Sequence, residues 1–307
     1  MFMRQLEYLV TLAREKHFAR AAELCSVSQP ALSAGIRRLE QELGVSIVQR
    51  GKRYVGLSPD GERILEWAKQ TLAAWEGLRQ EASIARAELE GTLRCGAIPT
   101  TIPILPLLTD AFRSSFPGVN YLLRSLTSEE IIRGLDEFEL DLGLTYLEDQ
   151  RLEGFTVLPL FRERYVLLAE SSAAAAGAAS MSWSDAAALP LCLLTPNMQN
   201  RRIINAAFRR AKAQPNVAVE TNSMFGLCSH VSRAHLFTVV PHSLVSVLDM
   251  RGLSAIDLTP ELTRSIGLIA LDQDPMSPIP TWAVGSCTAR PATSRKSLSS
   301  SAGSPRT

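Results

Sequence analysis

The stretch HFARAAELCSVSQPALSAGIRRLEQEL, residues 17–43, decides how this chain is read. Two short helical patterns flank a break at Ser26-Val27-Ser28. In the second, Leu32, Ile36, Leu39 and Leu43 recur at i, i+4, i+7 and i+11, which is one face of a helix. The opposite face carries Pro30, Ala34, Arg37, Arg38 and Gln41. Ser28 is placed to cap that helix, and Pro30 in its first turn gives up no hydrogen bond the helix would have made. A short helix, a tight turn and a second helix with a small, polar and basic outer face form a shape that a major groove accepts. A merely solvated surface helix would carry long polar side chains where this one has Pro30 and Ala34. The pattern therefore predicts close approach to DNA.

Working outward, Leu6, Leu9, Val10 and Ala13 make a helical face expected to pack against this motif. Gly44 suits a left-handed cap at the end of the second helix. Ser46–Gln49 and Tyr54–Leu57 read as two short strands joined by Arg50-Gly51-Lys52-Arg53. Such a hairpin is a wing, and Lys52 and Arg53 at its tip can reach phosphates or a narrow minor groove. From Arg37 to Arg53 five basic residues stand against two acidic ones, on a chain whose net charge is only +1. A local basic patch on a near-neutral chain fits a DNA-binding domain fused to something else. Ser58-Pro59 then restarts a helix. With no break read between Glu62 and Glu90, that helix would be about 45 Å long. Leu65, Ala68, Leu72, Trp75, Ala82, Ala85 and Leu89 follow near-heptad spacing, with Leu78 beside the seam. A long helix with an apolar seam needs a partner helix, so the spacing predicts a dimer linker that presents two recognition helices to a roughly palindromic operator.

The run AAELCSVSQPALSAGIRRLEQELGVSIVQR resembles the N-terminal winged helix-turn-helix of LysR-type transcriptional regulators. The segments SQPALS, IRRLEQELG and the later LSPDGE carry the resemblance in order, and it extends more weakly to about Val284. It implies that the helix beginning near Gln29 lies in the major groove, where Gln29, Pro30 and Ser33 are candidates for base or sugar contact and Arg37 and Arg38 for phosphate, with Ser28 and Ala34 on the same DNA-binding surface. Position 34 is Ala where many members carry an Arg able to read guanine, so no sequence preference is taken over from the family.

After Gly91, strand-like and helical runs alternate, as in an α/β domain. Strands are expected at 93–98, 121–126, 140–144, 157–161, 165–169, 191–194, 217–220, 236–240, 253–258 and 266–271. Helices are expected between them, including 102–116, 128–136, 197–212 and 224–233, and a short one anchored by Trp183. The order is similar to the family's effector domain, two α/β lobes like a periplasmic solute-binding protein. The expected organisation is α/β overall: a winged helix-turn-helix over residues 1–58, a dimerisation linker helix over 59–90, and an effector-binding domain over 91–287. Within it, lobe one would be 92–161 plus 264–287 and lobe two 162–263. A ligand would sit in the cleft, outside the carboxyl ends of strands. Pro99, Thr100 and Thr101 follow the first strand, Thr127 and Ser128 the second, and Thr195 and Asn197 a strand of lobe two. Their neutral hydroxyls and amides suit a small anion, and simple helix capping is the other reading of the same residues.

Composition bounds the rest. Of the 307 residues 46% are hydrophobic and 21% charged, so a sizeable core is expected and global disorder is not. No apolar run reaches membrane-spanning length and no signal peptide is read, which points to the cytoplasm. Cys25, Cys95, Cys192, Cys228 and Cys287 show no paired spacing and are expected as free thiols. One branch of the family senses oxidants through two cysteines close in sequence, whereas Cys192 and Cys228 lie far apart. The histidines lack metal-ligand spacing, and no cofactor is called for. The sequence holds no GxSxG, HExxH or Gly-rich phosphate loop. The expected function is a transcriptional regulator, not an enzyme. It would bind double-stranded DNA at an imperfect palindrome as a dimer or tetramer, under control of a small anionic effector. The alternative is a ligand-binding protein or enzyme built on the C-terminal domain. Residues 288–307, rich in Ser and with basic residues unmatched by acids, read as a disordered tail.

Overall fold

In the computed structural model the described residues are 2–50, 54–85, 89–148, 150–173, 177–245, 247, 251–281 and 285. The tail read over 288–307, and the wing-tip residues Lys52 and Arg53, lie outside them.

The head consists of α1 (Phe2–Glu15), α2 (Phe18–Leu24), α3 (Gln29–Leu43) and a hairpin of β1 (Val48–Arg50) and β2 (Tyr54–Leu57). Leu6, Leu9 and Leu12 of α1 meet Ala21 and Ala22 of α2 and Leu32, Ile36 and Leu39 of α3 in one core, closed by Ile47 and Leu57. Leu43, last of the apolar series on α3, is left exposed where the helix runs out. Ser28 caps α3 by accepting a hydrogen bond from the Ala31 N–H at 3.3 Å, and Gly44 ends it in the left-handed region at φ 70°. The Glu40 carboxylate then accepts from the backbone N–H groups of Ile47 (2.9 Å) and Val48 (3.0 Å). One side chain of α3 thereby fixes where the hairpin leaves the helix.

Helix α4 (Pro59–Ile84) starts on Ser58, whose hydroxyl accepts from the Gly61 N–H and donates to the Ser46 carbonyl. It ends at Ile84, short of the expected Glu90. Residues 86–88 lie outside the described set, and Gly91 already begins a strand. The seam is also shared differently from the expected one. Leu65 and Ala68 are buried against the head, while Trp67 (71% exposed) and Leu78 (58%) stand with Ala74 on a second, open face.

The C-terminal part is built on a mixed sheet ordered β4-β3-β5-β12-β6-β11-β7. Its strands are β3 (Gly91–Ala97), β4 (Val119–Ser125), β5 (Leu142–Tyr146), β6 (Phe155–Glu170), β7 (Ser180–Ser182), β11 (Leu253–Thr259) and β12 (Thr263–Leu271). Strands β3, β4 and β5 run parallel and form lobe one with α5 (Leu105–Ser115) and α6 (Ser128–Asp136). The two strands expected at 157–161 and 165–169 are one strand, β6. Its first part pairs with β12, from Phe155↔Leu271 to Arg164↔Thr263. Its second part pairs with β10 (Thr238–Pro241) and β11. Lobe two adds α7 (Trp183–Ala188), β8 (Leu191–Leu194), α8 (Gln199–Arg210), β9 (Val217–Thr221), α9 (Met224–Ala234) and α10 (His242–Val245), with β8 parallel to β9. Trp183 anchors α7 as expected: it is buried, donates from its indole N–H to the Pro260 carbonyl at 2.9 Å, and meets Phe208 edge-on. Gly143 of β5 lets α6 close down on the sheet, because a Cβ there would run into Ile131 and Ile269.

Replacing Glu40 by Ala should loosen the hairpin while leaving α3 folded. Hydrogen exchange at the Ile47 and Val48 amides should accelerate on the order of tenfold or more, the loss of two bonds to a charged acceptor. Unchanged protection at both amides would show that the carboxylate does not hold the hairpin.

Candidate DNA-binding surface and effector cleft

The outer face of α3 is the first candidate site. Ser28, Gln29, Pro30, Ala34, Arg37 and Arg38 are exposed and Ser33 is half-buried. The first turn is sterically thin, and the cations follow one turn further on. Arg38 Nε lies 3.2 Å from Glu42 Oε1, an exposed i,i+4 pair that takes up part of its charge. Arg37 has no ion-pair partner among the described residues, so its guanidinium is the freer of the two.

The second candidate lies between the lobes. Ile98, Pro99, Thr100, Thr127, Ser128 and Tyr146 of lobe one face Leu194, Met198, Gln199 and Asn200 of lobe two across a closed space of about 10 Å³. A far larger groove, about 800 Å³, runs between α1, α4 and lobe one. It is lined by charges of both signs, among them Lys69, Glu76, Arg94 and Asp141, and is the gap between the head and the effector domain. The inter-lobe space is the better candidate because buried polar groups converge on it.

Of the residues expected there, the structure brings Pro99, Thr100, Thr127 and Ser128 together. Thr100 is 1% exposed, and its hydroxyl makes no hydrogen bond of good geometry but stands close enough to the Tyr146 phenol to work against the rise of its pKa. The Ser128 hydroxyl accepts from Thr145 Oγ1 at 3.0 Å, which leaves its own hydrogen for the cavity. Of the two, Thr127 is the N-cap of α6: it accepts from the Glu130 N–H, while Glu130 reaches back to the Thr127 N–H at 2.8 Å. That capping box holds the Glu130 carboxyl below its usual range and occupies the Thr127 hydroxyl. Thr101 is buried in the turn, donating to the Ile98 carbonyl at 3.0 Å. Thr195 and Asn197 do not line the cavity, and Asn197 is exposed. Lobe two contributes the first turn of α8 instead, which has no side-chain cap.

Sequence reasoning missed the floor of the cleft. The Tyr146 and Tyr165 hydroxyls lie 3.1 Å apart, and Asn200 Nδ2 approaches them at 3.5 and 3.4 Å. Burial, with the Glu163 charge adding to it, pushes the Tyr146 phenol up to about 12, and burial raises Tyr165 as well. Both phenols stay protonated at neutral pH. Beside them Glu163 is completely buried. Its Oε2 accepts from Ser243 Oγ at 3.1 Å and its Oε1 has no partner. Burial pushes its carboxyl up to about 8 against the pull of the Ser243 hydrogen bond, and the charge of Glu148 adds to the rise. The alternation of Arg162 outward and Glu163 inward along β6 was the available signal.

No described cysteine is in a disulfide. Cys95 and Cys192 are buried. Burial pushes the Cys95 thiol up to about 12 and raises those of Cys192 and Cys228. Among the described residues no group of three His, Cys, Asp or Glu side chains could hold a metal, and no helix is long and apolar enough to cross a membrane.

Two family models match the chain, one over each of its halves. Residues 3–62 match the family model of the bacterial regulatory helix-turn-helix protein, lysR family, and residues 86–290 that of the LysR substrate binding domain. A hydrogen peroxide-inducible genes activator of Haemophilus influenzae is 35% identical over 168 residues, covering 54% of this chain and 56% of that protein. The DNA-binding transcriptional dual regulator OxyR of Escherichia coli is 37% identical over 168 residues, covering 54% and 55%. The chain thus aligns with about half the length of these curated relatives. A full-length OxyR of Pseudomonas aeruginosa, in a cysteine-to-aspartate form, matches with a TM-score of 0.74 at 28% identity, covering 94% of this chain and 95% of that one. Full-length CbnR complexed with its target DNA shares the fold, with a TM-score of 0.63 at 23% identity over 94% and 100% of the two chains.

The buried carboxyl makes stability depend on pH. Glu163 binds its proton more tightly when folded, about 8 against an ordinary 4.5, so its contribution is intact below about pH 4.5 and is lost as pH rises through 8. Urea unfolding at pH 6 and pH 9 should show the chain losing on the order of a few kcal/mol from this group. Glu163→Gln, which cannot ionise, should flatten that loss. An equal loss in both proteins would place the proton elsewhere.

Proposed function

Since the chain belongs to the LysR family, we propose that it regulates transcription by binding an imperfect operator palindrome as a dimer or tetramer. A small anionic effector in the inter-lobe cleft sets the arrangement of the subunits. The observation that carries this reading is the outer face of α3: thin at Gln29, Pro30 and Ala34, basic at Arg37 and Arg38, and exposed throughout. Gln29, Pro30, Ser33 and Ala34 would meet bases or sugars, while Arg37, Arg38, Lys52 and Arg53 would meet phosphates. The open face of α4, with Trp67, Ala74 and Leu78, supplies an apolar surface for a second α4. The site of action is then the cytoplasm, where the DNA is.

Footprinting on the DNA beside the chain's own gene, with and without extracted metabolites, tests the reading. A protected imperfect palindrome supports it, and no protection by folded dimer at moderate salt sinks it. Arg37→Ala should weaken binding to all sequences alike and reduce the slope of log affinity against log salt by about two, one for each copy. Gln29→Ala should instead change which bases are preferred.

The relatives named for peroxide induction favour a second reading, an oxidant sensor. Three of the four described thiols weigh against it, because the thiolate is the reactive form and burial raises Cys95, Cys192 and Cys228. Millimolar hydrogen peroxide should leave the footprint unchanged, as should replacing Cys192 and Cys228 by Ser. A peroxide-dependent footprint that those replacements abolish would reverse this choice.

A further inference from the structure

The short helix α10 belongs to lobe two but also packs against lobe one. It lies on β6 and against the 3₁₀ turn Ile102–Ile104, which follows Thr101 in lobe one. It meets β6 where that strand leaves its pairing with β12. Arg164 is the last residue of that pairing, and its backbone N–H donates to His242 Nδ1 at 3.1 Å. One residue earlier on β6, Glu163 Oε2 accepts from Ser243 Oγ at 3.1 Å. Two consecutive residues of α10 are thus fastened to two consecutive residues of β6. A helix of 4 residues cannot sustain itself, so these bonds and the burial of Leu244 hold it.

Both fastenings depend on a proton. A ring nitrogen accepts a hydrogen bond only while it carries no hydrogen, so the Arg164 N–H needs His242 unprotonated at Nδ1. Histidine takes up its second proton within about pH 5 to 8. Two donors then face each other and the bond is lost. The turn Ile102–Ile104 and β10 bring no titratable or charged side chain to His242. From β6 come Glu163, Arg164 and Tyr165, and from β11 comes Asp257, which already pairs with the Arg164 guanidinium.

Alkali acts on the other fastening. Glu163 is fully buried, its Oε1 has no partner, and burial pushes its carboxyl up to about 8. Facing it are Ser243, Glu148, the phenols of Tyr146 and Tyr165, and Arg264, which stands opposite on β12. Arg264 donates to the Thr263 carbonyl at 2.8 Å, and no ion pair reaches Glu163 among the described residues. As pH rises through about 8, a neutral buried carboxyl becomes a buried charge beside that of Glu148. Packing that excludes water from it is then opposed.

We propose that α10 is a proton-operated latch: it holds the lobe-one turn Ile102–Ile104 against β6 near neutral pH and releases it in acid and in alkali. Acid removes the acceptor of one fastening, and alkali charges the carboxyl of the other. The latch needs no ligand, so the packing of the two lobes depends on pH by itself.

Methyl NMR of the full chain, labelled at Ile, Leu and Val, tests this at about pH 5, 7 and 9.5. Nuclear Overhauser contacts between the methyls of Ile102 and Ile104 and those of Leu244 and Val245 report the latch. Ile203, buried within lobe two, is the reference for a folded chain. The contacts should be strongest at neutral pH and fall about threefold or more at either extreme, with the Ile203 signal unmoved. His242→Asn, whose side-chain oxygen accepts but does not titrate, should abolish the acid loss alone. Glu163→Gln should abolish the alkaline loss alone. His242→Ala should weaken the contacts at neutral pH too. Should Glu163→Gln fail to fold, the acid limb and His242→Asn decide. Contacts equal at all three pH values would overturn the latch. So would losses that both variants retain, or losses that come with the Ile203 signal of an unfolded chain.

Discussion

The ladder between β6 and β12 is the constraint on which the C-terminal half depends. Nine residues of β12 pair with β6 from Leu271↔Phe155 to Thr263↔Arg164. One residue further on, at Tyr165, β6 changes partners and pairs with β10 and β11. Two antiparallel strands thus carry the chain out of lobe one and back, and the cleft opens where the pairing changes. Backbone pairing of this kind resists sliding, so the crossing between the lobes is made by two paired strands and not by a loop. Glu163 and Tyr165 straddle the change of partner. The tyrosine reaches Tyr146 across the floor, and the carboxyl reaches Ser243 of lobe two. A group in the cleft therefore touches side chains whose positions are fixed by the joint itself.

The head was legible in the sequence because every signal there is local. Apolar spacing gave α1 and α3, Ser28 and Gly44 marked the ends of α3, and the outward residues are the ones that the spacing put outside. The C-terminal half was legible in order but less so in detail. The charged run Arg162-Glu163-Arg164 looked like a break between two strands. It lies instead inside one strand, whose alternation turns Glu163 into the interior, a signal that counts only once the three residues are read as strand. In the cleft, residue type misled in one direction. Thr195 and Asn197 look like capping residues before a helix, but α8 begins at Gln199 without a side-chain cap, and its first turn faces the cavity. Thr127 shows the converse, since its spacing to Glu130 is that of a capping box and the hydroxyl is taken up by it. Only Thr100 and Ser128 combine a readable position after a strand with a hydroxyl that the structure leaves available. Tyr146 and Tyr165, far apart in sequence, meet only because β5, β12 and β6 are neighbours.

The two halves meet along α4. Gln80, buried, accepts from the Ile279 N–H at 3.2 Å, and Lys69 lies 3.9 Å from Glu137 of lobe one. A change in lobe one would thus have a mechanical path to the helix that carries the head. A path is not yet a response, because one head has little to respond with. The chain's net charge is +1, and on α3 Glu42 already pairs with Arg38. Each phosphate contact adds one increment to a salt-dependent affinity, and a single head makes few of them. A second copy doubles the count and adds a spacing requirement, since two recognition helices held by one pair of α4 helices fit half-sites only at a set separation. On that geometry a small change in the angle between lobes, passed to α4, would alter a distance between heads. It need not alter the chemistry of either head. Were a second α4 to pack on the exposed Trp67 and Leu78, that contact would set the distance between heads; without a partner on that face there would be no distance to change.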